Sequence, residues 1–235
     1  MRLPILRPRL AMTAGLVPRG AVVADIGTDH AYLPVYLVRE GVCPRAIAAD
    51  VSEGPLQNAE KTVVRAGLEQ SVELRLSDGF RQFVPDDADC WIIAGMGGTL
   101  IARLLEQTRW LSTPETRSAI TLVLQPMRHA WEVRAWLLTH GYRIETEAAC
   151  HDAGRPYHAM RAVFEPEAAR STEPAYIYMG ELPRCDHPAA RELIRREQAL
   201  LQTRADALAK SNHVEQQKEE LARLRAIIAG MEEYL

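Results

Sequence analysis

No stretch of this 235-residue chain holds about 18 consecutive apolar side chains, so a membrane-spanning helix is not expected. The opening MRLPILRPRL carries arginines but lacks a long apolar core and a small-residue cleavage site, and a secretory signal is not expected either. The four cysteines, Cys43, Cys90, Cys150 and Cys185, stand far apart and never form C-x-x-C. That argues against a zinc site or a disulfide framework, and a reducing cytoplasm is the expected compartment. Net charge is only −3, so a nucleic-acid partner would have to be met by a local basic patch. A dinucleotide loop, G-x-G-x-x-G, is also missing.

The most informative stretch is Val22 to Pro34, VVADIGTDHAYLP. Val22, Val23 and Ile26 suit a strand covered on both faces, and Gly27 suits a tight turn beside a ligand. A helix is predicted from about His30 to Glu40, closing at Gly41, with its free N–H groups facing the turn. Asp29 falls where a dinucleotide loop would have its second glycine, and Tyr32 where it would have its third. Asp25 and Asp29 thus flank a single glycine. Carboxylates repel a pyrophosphate and favour a cation, which points to S-adenosylmethionine, a sulfonium with an ammonium group, over NAD. The plain alternative is an α/β turn with a solvated aspartate.

The βα alternation continues. Strands are predicted over Arg45–Ala49, Val72–Leu76, Cys90–Ala94 and Ile120–Leu124. Helices are predicted over Glu53–Ala66 (capped by Ser52 and closed at Gly67), Thr99–Gln107 and Met127–His140. The apolar CWIIA reads as a central strand, and Gly95 to Gly98 as the turn after it. Then the pattern changes. Arg143–Cys150 and His158–Phe164 are two strands joined by a turn containing Asp152, Gly154 and Pro156, so one sheet edge becomes antiparallel.

In an open α/β sheet, ligands gather at the C-terminal strand ends. Asp25 and Gly27 end the first strand, Asp50 and Val51 the second, Asp78 and Gly79 the third, and Ala94 and Gly95 the fourth. An acid after the second strand can accept both ribose hydroxyls, and one after the third can accept an adenine amine. These eight residues are the expected cofactor site.

DIGTDHAYLP, Asp78-Gly79, IAGMGG (Ile93–Gly98), LQP (Leu124–Pro126) and DAGRPY (Asp152–Tyr157) together resemble the bacterial tRNA (adenine-22-N1)-methyltransferases, in order, from about Leu10 to Phe164. One departure is Cys150-His151, where acidic residues would be expected. The resemblance implies a Rossmann-like methyltransferase fold: a seven-stranded sheet whose antiparallel seventh strand lies between the fifth and sixth, followed by a helical tail. It also implies S-adenosylmethionine as cofactor and tRNA as partner.

The chemistry is consistent with that target. Adenine N1 is unprotonated at neutral pH and needs no deprotonation before attack. The N-P-P-Y loop that many base methyltransferases use to hold an exocyclic amine is absent. Methylation of N1 leaves a cationic ring, which a nearby carboxylate would stabilise. Asp29 is the expected catalytic carboxylate, with His30 orienting it or lining the pocket; the plain reading of Asp29 is a helix N-cap, and the two roles can coexist. Tyr32 is a candidate stacking residue, and Met96, Gly97 and Gly98 a backbone approach to a flipped base.

Arg2, Arg7, Arg9 and Arg19 precede any acidic residue. They read either as a phosphate-contacting lip, with Arg7 and Arg9 the substrate-binding candidates, or as the solvated face of an amphipathic first helix.

Three regions are expected: a methyltransferase domain over 1–165, a linker over 166–188 with one apolar stretch at Ala175–Met179, and a helical domain over 189–235. In the tail, Ile194, Leu201 and Leu208 recur at seven-residue spacing, and Val214, Leu221, Leu224, Ile228, Met231 and Leu235 keep an a/d spacing. Asn212 with Glu215 outlines a capping box, so the tail reads as an antiparallel helical hairpin, with a continuous coiled-coil arm as the alternative. His187, His213 and Cys185 show no ligand spacing. No metal is expected, and a monomer is the expected state.

The expected activity is transfer of a methyl group to N1 of adenosine 22 in tRNA. The alternatives are methylation of another RNA, or a non-catalytic Rossmann scaffold that binds partners through the helical arm.

Overall fold

A computed structural model describes residues 5–167, 174–210 and 215–235. Arg2 and Leu3 of the N-terminal patch, and Asn212, His213 and Val214 of the expected cap and heptad run, lie outside the described residues.

The chain runs α1 (Pro8–Gly15), β1 (Val23–Ile26), α2 (Tyr32–Arg39), β2 (Ala46–Asp50), α3 (Glu53–Ala66), β3 (Val72–Leu76), β4 (Cys90–Met96), α4 (Gly98–Glu106), α5 (Pro114–Ser118), β5 (Thr121–Pro126), α6 (Ala130–Thr139), β6 (Tyr142–Asp152), β7 (Arg155–Phe164), α7 (Tyr176–Met179), α8 (Pro188–Lys210) and α9 (Glu215–Glu232). The strands form one seven-stranded sheet in the order β3-β2-β1-β4-β5-β7-β6. β1 to β5 pair in parallel, while β7 pairs antiparallel with both β5 and β6. This is the Rossmann-like methyltransferase sheet, with the last strand inserted between the fifth and sixth.

The central strands are apolar on both sides because both faces are covered. Val23, Cys90, Ile92, Val123 and Ala159 point to one face, where they meet Ala14 of α1 and Leu33 and Leu37 of α2. Ala24, Ile26, Trp91, Ile93, Leu122 and Leu124 point to the other, against Ile101 and Leu105 of α4 and Val133 and Leu137 of α6. The two sets alternate along each strand, as the period of two requires.

Several boundaries differ from the sequence reading, each for a local reason. α2 starts at Tyr32 because Asp29 (φ 54°) and Ala31 (φ 55°) are both left-handed; Ala31 is the N-cap, so Asp29 is not. α6 starts at Ala130, three residues late, because His129 is left-handed as well (φ 54°). Ser52 occupies the N-cap of α3 but its side chain makes no capping bond; Asp50 Oδ1 instead accepts from the Ser52 N–H at 3.0 Å. The hairpin strands run on to Asp152 and Arg155, leaving a two-residue turn in which Ala153 (φ 48°) and Gly154 (φ 72°) both take positive φ. Pro156 is tolerated in β7 because β5 pairs only with residues Met160 to Val163, so β7 is locally an edge there.

Beyond the sheet, Ala175, Met179 and Leu182 are buried with Ala149 of β6 and with Ala189, Ala190, Ile194 and Leu201 of α8. Leu221, Leu224, Ile228 and Met231 of α9 complete that second core, with Leu208 partly buried beside it. Arg204, near the end of α8, pairs with Glu220, near the start of α9, so the helices fold back on each other as a hairpin. Among the described residues no helix is long and apolar enough to cross a membrane, and the four cysteines are free.

Candidate functional site

β1 is flanked by β2 on one side and β4 on the other, which places the sheet's switch point between the ends of β1 and β4. The chain leaves β1 through Gly27 (φ 81°), and the Gly27 and Thr28 N–H groups both donate to Ala49 O, at 2.8 and 2.9 Å. That pair of bonds pulls the 27–31 loop over the end of β2. A Cβ on Gly27 would sit 2.2 Å from Met96 Cε, so the glycine leaves room for the Met96 side chain.

Nine expected site residues meet at one cavity of about 310 Å³. Asp25, Gly27, Asp29, His30 and Tyr32 come from the first strand and its loop, Ala94 and Gly95 from β4, and Arg7 and Arg9 from the entry to α1.

The two carboxylates differ in setting. Asp25 is buried, and Thr28 Oγ1 donates to its Oδ2 at 2.7 Å. Burial pushes its carboxyl up to about 6; the Thr28 bond opposes that and the charge of Asp50 adds to it. Asp29 is largely exposed, with Oδ2 at 3.6 Å from His30 Nε2. His30 in turn stacks on Tyr32, ring centroids 5.1 Å apart and planes 11° from parallel.

The remaining expected residues lie along the same edge of the sheet but not in that cavity. Asp50 ends β2, and its Oδ2 has no hydrogen-bond partner among the described residues; Val51 beside it is exposed. Asp78 borders a neighbouring cavity of about 500 Å³ with Phe80, Leu104 and Trp110, and pairs with Arg81 at 3.0 Å. Gly79 (φ 58°) packs against Leu104. Gly97 is the N-cap of α4. Gly98 is buried, and a Cβ there would lie 2.1 Å from His129 O, so its lack of a side chain serves the turn before α6.

The N-terminal arginines split by role. Arg7 donates to buried Asp152 Oδ1 at 2.8 Å, and Arg9 Nη1 donates to Gln125 Oε1 at 2.6 Å. Arg19 donates to Gly41 O at 3.3 Å and does not line the cavity. Asp152, Gln125 and Tyr157, whose ring centroid is 5.9 Å from Arg9 Cζ, were not among the expected site residues. They sit in the LQP and DAGRPY motifs, but their partners are more than a hundred residues away in sequence. Among the described residues there is no cluster of His, Cys, Asp and Glu able to hold a metal ion.

A sequence-family model described as "Methyltransferase domain" matches residues 6–160. A tRNA (adenine(22)-N(1))-methyltransferase of Bacillus subtilis is 39% identical over 157 residues, which is 67% of this chain and 64% of that protein. The chain therefore spans a little under two thirds of the length of that relative. The crystal structure of the B. subtilis m1A22 tRNA methyltransferase TrmK superposes with a TM-score of 0.84 at 30% identity, covering 98% of each chain. A putative tRNA (m1A22) methyltransferase of Streptococcus pneumoniae, solved in complex with S-adenosyl-L-methionine, gives a TM-score of 0.74 at 31% identity, over 97% of this chain and 99% of that one.

Proposed function

The chain belongs to the bacterial tRNA (adenine(22)-N(1))-methyltransferase family, and from that premise we propose that it is an S-adenosylmethionine-dependent enzyme that methylates N1 of adenosine 22 in tRNA. The observation that carries the reading is the single cavity at the β1/β4 switch point, walled by two carboxylates from one glycine turn. Two carboxylates beside the glycine turn suit the sulfonium and ammonium of a cationic methyl donor better than a pyrophosphate.

The residues fit the cofactor. Asp25 and the Gly27 turn, with Ala94 and Gly95 opposite, would hold its amino-acid end. Asp50, with a carboxylate oxygen to spare among the described residues, would take the ribose hydroxyls. Exposed Val51 offers an apolar surface for the adenine, and Asp78 with Gly79 an acceptor for its amine, once Arg81 yields. When bound, S-adenosylmethionine supplies an electrophilic methyl group on a sulfonium. The chain's own work is alignment and charge stabilisation.

Asp29 has that second task. It is exposed at the mouth, held near His30, and placed to stabilise positive charge developing on an adenine ring and to accept an N6 proton. The stacked His30–Tyr32 pair offers a flat wall for the target base, and the Met96 to Gly98 backbone the opposite approach. Arg7 and Arg9, which line the same cavity, are the candidates for contact with an RNA phosphate. A cytoplasmic location follows from the substrate, and four free cysteines suit it.

The test pairs two measurements. S-adenosylmethionine titrated into the protein should give a saturable heat, and a tRNA transcript should gain N1-methyladenosine that a transcript with guanosine at position 22 does not. Cofactor binding with methylation of both transcripts would move the target elsewhere in the RNA. No heat at all would leave a scaffold.

A further inference from the structure

We propose that Gln125 is a positioning residue that presents Arg9 to the cavity as a fixed anion site. The inference rests on the methyltransferase reading and deepens it. Gln125 lies near the end of β5 with no exposure to solvent. Its Nε2 donates to Pro126 O at 3.1 Å and to His158 O at 3.4 Å. Those two carbonyls fix which way the amide points, so Oε1 must face donors. It does: it accepts from Arg9 Nη1 at 2.6 Å and from the Gly95 N–H at 3.1 Å. One side chain thus ties the start of α1 to Gly95, where β4 shifts register against β5, and to β7, at the wall of the cavity.

The charge pattern separates this from plain structural support. Arg7, two residues earlier, is neutralised by Asp152. Arg9 is half-buried, lines the cavity, and forms no ion pair with a carboxylate among the described residues; its partner is a neutral amide. A glutamate at 125 would hold the same guanidinium but cancel its charge. Glutamine holds it and leaves the charge for a ligand. The guanidinium also lies close over Gly95, where a Cβ would stand 3.3 Å from Nη1, and beside the Tyr157 ring. A cation kept unpaired in a pocket that also holds Asp25 and Asp29 fits a two-oxygen anion. Two sources carry that chemistry here: the carboxylate at the amino-acid end of the methyl donor, and a phosphate of the RNA.

The test is a double-mutant cycle of Arg9→Met, Gln125→Met and both together, with thermal melting to check the fold. Affinities are read by calorimetry for S-adenosylmethionine and for its decarboxylated analogue, and KM is read for tRNA. Each single variant should lose about tenfold in one of the arms, and the double variant should be no worse than the worse single. If the anion is the cofactor's carboxylate, the loss appears with S-adenosylmethionine and not with the decarboxylated analogue. If it is a phosphate, cofactor affinity holds and KM for tRNA rises. Additive losses, or no loss in either arm, overturn the proposal. Arg9→Lys supplies a second reading that leaves Gln125 untouched. An ammonium keeps the charge but not the planar guanidinium whose Nη1 Gln125 holds, so it should recover only part of the loss seen in Arg9→Met, and near-wild-type behaviour would overturn the proposal. Failure of the methyltransferase reading would look different, because the unaltered protein would then bind no S-adenosylmethionine.

Discussion

Arg134 and Glu147 face each other in a two-bond pair, Nε to Oε1 at 2.9 Å and Nη2 to Oε2 at 3.2 Å, with side-chain exposures of 1% and 0%. The arginine is on α6 and the glutamate on β6, and Arg134 Nη1 also donates to Ile177 O and Tyr178 O. The pair therefore pins the segment before α8 to the sheet. Gly180 (φ 56°) lies against it so closely that a Cβ would be 2.4 Å from Arg134 Nε.

Removing one partner strands a buried charge, so Glu147→Ala should cost ~3–5 kcal/mol in urea unfolding, whereas Arg134→Met with Glu147→Leu should cost much less. Equal losses in the single and double variants would mean the pair is not the source of the effect. Gly180→Ala should also destabilise, through strain at its positive φ and through the collision with Arg134.

Asp25 should make both stability and cofactor affinity depend on pH. Its folded carboxyl is raised to about 6, so the folded state holds the proton more tightly than the unfolded chain does. The associated stability is present in full below about pH 4 and is lost as pH rises through about 6. At pH 7 the ionised group costs on the order of 3 kcal/mol, and Asp25→Asn should recover part of that in the ligand-free protein. A cation bound beside Asp25 favours the ionised form. Affinity for S-adenosylmethionine should therefore fall as pH drops below about 6, with a proton released on binding. Calorimetry in buffers of different ionisation enthalpy reads that proton, and Asp25→Asn should abolish it. A pH-independent affinity would separate Asp25 from the ligand.

Gly98→Ala should destabilise by ~1–3 kcal/mol without altering the cavity's charges, because the new methyl group must displace the backbone of residue 129 rather than a flexible side chain. Gly97→Ala, with only Arg128 Nε near at 3.8 Å, should be close to neutral in stability. Melting curves of the two variants separate the glycine that packing requires from the one that packing does not. Equal melting temperatures would discount the His129 contact.

The sheet was legible because its signals are local. Three apolar runs covered on both faces, β1, β2 and β4, end at Gly27, Asp50 and Gly95, and the hairpin shows as two strands with no helix between them. One wall of the cavity was legible for the same reason: Asp25, Gly27 and Asp29 are neighbours in sequence. What was not legible is long-range or conformational. Nothing near Gln125 announces that it will bond Arg9 across 116 positions, nor near Asp152 that it will bond Arg7 across 145. The left-handed Asp29, Ala31 and His129 are non-glycine residues at positive φ, which composition does not flag. Those residues delay two helices, and the first two shape the loop that carries Asp29.

Asp29 tests the mechanism most directly, and the choice of substitution matters. Its backbone is left-handed, a conformation that asparagine adopts at less cost than alanine, so Asp29→Asn isolates the carboxylate from the fold. Asparagine is nearly the same size, keeps the loop, and cannot carry negative charge or accept a proton. Turnover on tRNA should fall by ~10²-fold or more, the usual worth of a positioned acid–base group, while S-adenosylmethionine affinity stays close to the unaltered protein's. His30→Ala should give a smaller loss, since His30 acts through Asp29 and Tyr32 rather than on charge directly. If Asp29→Asn weakens the cofactor as much as it slows turnover, the carboxylate belongs to the donor's ammonium or sulfonium end. Stabilisation of the cationic ring would then fall to the His30–Tyr32 wall and the Met96 to Gly98 backbone.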